Sequence, residues 1–88
     1  MKYPEGLTDE DFMYWVSNNC SDEKTSVMHD FHEYLRNTEL KSGTVVDYLK
    51  DVEKDLTDDG KLPESADGSA ARKFREFLRK TTEEGENQ

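Results

Sequence analysis

Apolar side chains are few in this 88-residue chain, yet they recur at helical spacing in four separated stretches. The first stretch predicts a helix over about residues 9–18. Thr8 is its N-cap, Asp11 reaches back to it as in a capping box, and Asp9 and Glu10 lie at the positive end of the helix dipole. Phe12, Trp15 and Val16 form the buried stripe, with Met13 alongside and Trp15 as a core anchor, before Asn18 and Asn19 stop the helix. The second predicted helix starts near Ser21 or Thr25 and runs to about Asn37. Val27, Met28, Phe31, Tyr34 and Leu35 share its buried face, and Leu40 packs the exit turn.

Lys41-Ser42-Gly43-Thr44 reads as a tight turn that ends in an N-cap. The helix that follows, about 44–56, carries Val45, Val46, Leu49, Val52 and Leu56 on one side and Asp47, Lys50, Asp51, Glu53 and Lys54 on the other. The run TDDGKLPESADG, residues 57–68, is a connector in which Leu62 can tuck down as a plug. Ser69 then caps a fourth helix, with Ala70, Ala71, Phe74, Phe77 and Leu78 lining one side and Arg72, Lys73, Arg75, Arg79 and Lys80 on the flanks and outer side. Beyond Lys80 no apolar residue remains. These spacings predict an all-α, small four-helix bundle: one helical domain over 1–80, and a mobile tail over 81–88.

Composition changes this picture little, since 38% charged against 32% hydrophobic residues lies near the boundary of disorder and periodicity argues for a core. Charge changes it more. The whole chain is −9, but residues 72–80 hold five bases and one acid, Glu76; this local +4 leaves −13 for the remainder. A positive patch on so acidic a molecule acts within roughly 8 Å at physiological ionic strength, so any polyanion must be met at short range and in one orientation. The acidity also fits a high-salt cytoplasm, although eight lysines are many for that reading. Cys20 is the lone cysteine, which excludes an internal disulfide and makes a reducing cytoplasm the expected location. No apolar run approaches the roughly 20 residues that cross a bilayer, and the N-terminal sequence has no apolar targeting core.

Catalytic and metal chemistry find little footing. His29 and His32 stand at i, i+3 near Asp30, Glu33 and Cys20, but no second ligand pair follows, so neither a metal nor another cofactor is expected. No Ser-His or Cys-His arrangement and no phosphate-cradling glycine loop is present, which argues against an enzyme. Asp22 and Glu23 beside Cys20 disfavour its thiolate. The aromatic residues Tyr3, Phe12, Tyr14, Trp15, Phe31, Tyr34, Tyr48, Phe74 and Phe77 follow helical spacing and are read as core, with Tyr14 and Tyr48 as the exceptions.

Two features point toward DNA. Residues 31–56, FHEYLRNTELKSGTVVDYLKDVEKDL, read as a helix, a short turn and a second helix opening with Thr-Val, the order of a helix-turn-helix, with Glu39 where such turns often place Gly. Together with SAARKFREFLRK, this stretch resembles the SAM-like N-terminal core-binding domain of phage integrases and other tyrosine recombinases. The resemblance spans about residues 27–80 and rests on Tyr34-Leu35, Leu40, Ser42, Thr44, Tyr48-Leu49, Ala71, Phe74 and Leu78. It implies an orthogonal helical module from a mobile element that clamps double-stranded DNA. The inherited contacts would be Lys41, Ser42, Thr44 and Tyr48 at the start of the third helix, with Arg72, Arg75 and Arg79 on the last. The chain departs from the family in its acidic charge, in a 57–68 connector too short for the usual additional helix, and in lacking the catalytic set.

The residues therefore support a non-catalytic DNA-binding module, of which a winged helix-turn-helix is a variant requiring strands within 57–68. The alternative from a different class is an acidic adaptor or DNA-mimic inhibitor whose carboxylates face a basic protein partner.

Overall fold

A computed structural model describes residues 6–86, with side chains described through Thr82. Four helices follow in order: α1 (Asp9–Asn19), α2 (Asp22–Arg36), α3 (Val45–Asp55) and α4 (Ser69–Glu86), with no strand among the described residues. Each start has a local cause. Thr8 Oγ1 accepts from the Asp11 amide and Ser21 Oγ from the Lys24 amide. At α3 the capping box closes in both directions: Thr44 Oγ1 accepts from the Asp47 amide, and the Thr44 amide donates to Asp47 Oδ2. For α4 the cap differs from expectation. The Arg72 amide bonds the Gly68 carbonyl, so the N-cap position falls on Gly68 and Ser69 is the first helical residue. The α4 backbone continues past Lys80 to Glu86, while Asn87, Gln88 and Tyr3 lie outside the described residues.

α2 and α3 are the central elements, each packing against the other three helices. The core draws Phe12, Met13 and Val16 from α1, Met28, Phe31 and Leu35 from α2, Tyr48, Leu49 and Val52 from α3, and Ala70, Phe74 and Phe77 from α4. Phe31 meets Phe74 edge-on at 5.0 Å between ring centroids, and Phe77 lies 5.6 Å from Phe31 and 5.4 Å from Tyr34. Such pairs add about 0.5–1.5 kcal/mol each beyond area burial, which lets α4 dock on α2 through a few large rings, while the small Ala70 and Ala71 lie beside Asp51 and Asp55 of α3.

The expected stripes are displaced in detail. Met13 is buried while Trp15 is half-buried at the core margin, stacked on Phe12. On α3 the buried row runs through Tyr48, and Val46 is only half-buried. On α4 Phe77 is buried and Leu78 is 41% exposed. In each case the centre of the expected row is buried and only its margin differs.

Residues 57–68 form turns rather than a wing: the Thr57 amide bonds the Lys61 carbonyl, the Gly60 amide bonds the Thr57 carbonyl, and the Ala66 amide bonds the Pro63 carbonyl. The strands that a winged helix-turn-helix requires are absent from this connector. Leu62 packs against the core as a plug. The connector is tied to α2 by a hydrogen bond from Ser21 Oγ to the Asp58 carbonyl. Gly60, at φ +74°, lies where a Cβ would come within 3.2 Å of the Glu23 carbonyl oxygen and of Val27 Cγ1.

Candidate functional site: a basic groove between the α2–α3 turn and α4

Packing α4 across α3 brings Lys41 of the α2–α3 turn into one groove with Arg72 and Lys73 of α4, far apart in the chain. Its volume is about 400 Å³ and its walls are Lys41 and Ser42 from the α2–α3 turn, Tyr48 from α3, and Ser69, Arg72, Lys73 and Glu76 from α4. The turn reaches this position because Gly43 adopts φ +75°, a left-handed conformation that glycine takes at little cost, and the Thr44–Asp47 capping box then fixes the start of α3.

The seven residues expected to contact DNA do not act alike. Lys41, Ser42 and Arg72 are exposed and share the groove. Thr44 lies at its edge with its hydroxyl engaged in capping. Tyr48 lines the groove but is only 8% exposed, so it serves as a wall and core residue; the expectation that it stands outside the core is corrected. Arg75 turns away: its Nη2 donates to the Pro63 carbonyl at 3.0 Å and the Glu64 carbonyl at 3.4 Å, fastening the connector to α4. Arg79 is exposed on α4 beyond the groove.

Three further α4 residues complete the electrostatics. Lys73 Nζ donates to Glu76 Oε2 at 3.0 Å, inside the groove. That hydrogen bond, with the positive charges of Lys73, Arg79 and Lys80, holds the Glu76 carboxyl below the usual range, and the same bond raises the Lys73 ammonium. Lys80 lies over the Tyr34 ring, 6.0 Å from its centroid.

Elsewhere the polar groups have structural settings. His29 Nε2 lies 3.4 Å from Ser17 Oγ, whereas His32 Nε2 is buried, without a hydrogen-bond partner, 3.7 Å from Asp9 Oδ2. Burial lowers the His32 pKa, with Arg36 and His29 acting in the same direction and Asp9 and Glu33 opposing. Among the described residues no three His, Cys, Asp or Glu side chains converge as metal ligands. The Cys20 thiol is pushed up by burial and then by Glu53, rather than by Asp22 and Glu23. Glu53 also takes an ion pair from Lys24 at 3.0 Å, joining α2 to α3 with side chains only 14% and 10% exposed.

Sequence reasoning missed this buried pair, although a signal exists. Lys24 lies one turn before Met28 and Glu53 one turn after Leu49, so each continues an apolar row with an opposite charge. No helix among the described residues is long and apolar enough to cross a membrane. Neither protein-family models, nor curated proteins, nor solved structures give a match to this chain.

Proposed function

We propose that this is a non-catalytic DNA-binding module that engages the phosphate backbone through the groove between the α2–α3 turn and α4. The observation that carries the reading is the convergence of Lys41 and Ser42 with Arg72 and Lys73 in one concavity, from stretches about 30 residues apart. Lysine and arginine supply counterion-releasing phosphate contacts, and Ser42 adds a neutral hydrogen-bond donor that orients the module. Because the rest of the chain is strongly negative, the acidic surface repels the duplex in every other orientation and the groove is the face that approaches. Contacts so few give modest affinity, with a salt slope of about −0.9 for each phosphate neutralised. Fluorescence anisotropy with a labelled duplex tests this: binding should weaken sharply between about 50 and about 200 mM salt, and Arg72→Ala and Lys41→Ala should each weaken it further. Absence of binding at low salt, or binding indifferent to both substitutions, overturns the reading.

A second reading, an acidic adaptor or DNA mimic for a basic protein, draws on another surface. Asp22, Glu23 and Asp30 line a groove on α2 with Ser26 and Val27, and Glu33 is exposed one turn beyond Asp30. Its signature is capture of a basic partner that is lost on Asp22→Asn and Asp30→Asn and untouched by Arg72→Ala.

A further inference from the structure

The basic groove contains its own anion. Glu76 lines it together with Lys41, Ser42, Arg72 and Lys73, and its carboxylate oxygen accepts from Lys73 Nζ at 3.0 Å, the contact that a phosphate oxygen would make. Its side chain is 47% exposed against 21% for Lys73, so the carboxylate is the more solvent-accessible member of the pair and open to exchange with an incoming phosphate. One turn away, Arg72 is exposed on the same wall. The pair is an exposed i, i+3 contact on one helix, of a kind that contributes little to folding and reopens readily.

Resting on the DNA-binding reading above, we propose that Glu76 is an internal competitor for the phosphate site of this groove, occupying Lys73 until a duplex phosphate displaces it. The displaced carboxylate swings to water by side-chain rotation, Lys73 and Arg72 then neutralise the phosphate together, and no backbone movement is needed. The device sets affinity and discrimination: only a ligand with a dense line of phosphates, able to hold Lys41 and Arg72 at the same time, outcompetes a tethered carboxylate.

The test is titration of a labelled duplex of about 20 base pairs with the wild type, Glu76→Gln, Lys73→Ala and the double variant, at about 50 and about 200 mM salt. Glu76→Gln should bind about five- to tenfold tighter, with a salt slope steeper by about 0.9, the signature of one more phosphate neutralised. Lys73→Ala should cancel that gain, so the double variant resembles Lys73→Ala alone. Wild-type binding unchanged by Glu76→Gln overturns the competitor while leaving the DNA reading intact. Absence of wild-type binding at both salt concentrations overturns the DNA reading and, with it, the competitor that rests on it. Circular dichroism of each variant confirms that the helices persist.

Discussion

Two lysine–glutamate pairs in this molecule have the same N–O distance, 3.0 Å, and opposite meanings. Lys24 and Glu53 join two helices in surroundings that leave their side chains 10% and 14% exposed, with Cys20 Sγ donating to the same carboxylate. Lys73 and Glu76 are neighbours on one helix and open to water. Distance alone would rate them equal. Burial separates them, because a charge deprived of its partner in the interior has no water to replace it, whereas an exposed one is resolvated at once. The buried pair is therefore a fixture of the α2–α3 interface, and the exposed pair is a contact that a ligand can exchange.

The largest expected effect is on the buried side of this contrast. Lys24→Ala takes the ammonium away from a Glu53 carboxylate that is only 14% exposed and should cost about 3 kcal/mol, lowering the thermal midpoint by more than about 10 °C for a domain of this size. Lys24→Met with Glu53→Leu should recover most of that loss, and equal losses in single and double variants would show that the pair is not the cause. Lys73→Ala, by contrast, should leave the melt within experimental scatter.

Next in size is the start of α3. Thr44→Ala removes the hydroxyl that accepts from the Asp47 amide and should cost about 1 kcal/mol. Because Thr44 shapes the turn without lining the groove, denaturant unfolding should move more than duplex affinity does. Equal or larger loss of affinity at unchanged stability would return Thr44 to the role of a direct contact.

The smallest effect is a pH dependence. His32 is held below its ordinary pKa mainly by burial, with Asp9 at 3.7 Å and Glu33 opposing the shift and Arg36 and His29 reinforcing it. The folded state thus prefers the neutral ring, so the unfolded chain takes up a proton first on acidification. Stability should fall as pH drops from the unfolded pKa toward the lower folded one, and become level below both. His32→Gln should flatten this window in pH-dependent melts, whereas an unchanged slope would assign it to other groups.

Much of the architecture was legible in the chain. Caps or near-caps and four apolar rows placed every helix start and the ends of α1, α2 and α3 to within about two residues, since periodicity and capping are local properties, whereas α4 runs past the expected end at Lys80 to Glu86. What escaped was decided between elements. Tyr48 against Val46 and Phe77 against Leu78 depend on which way a helix is rotated toward its neighbour, and adjacent apolar residues leave that undetermined. The candidate site divided in the same way. Lys41, Ser42 and Arg72, named from the resemblance, line one groove, while Arg75 is taken by the Pro63 and Glu64 carbonyls and Thr44 by its own helix, because polar groups first satisfy nearby backbone. Glu76 was visible as the single acid among five bases, but its contact with Lys73 inside the groove is a matter of geometry.

The most direct measurement is an amide-shift map of the labelled protein titrated with duplex DNA at low salt. Shifts concentrated at Lys41–Tyr48 and Ser69–Glu76, with the acidic α2 residues Asp22–Asp30 unmoved, are the predicted result. A spectrum unchanged along both stretches, or one that moves first on α2, would contradict a phosphate-binding groove.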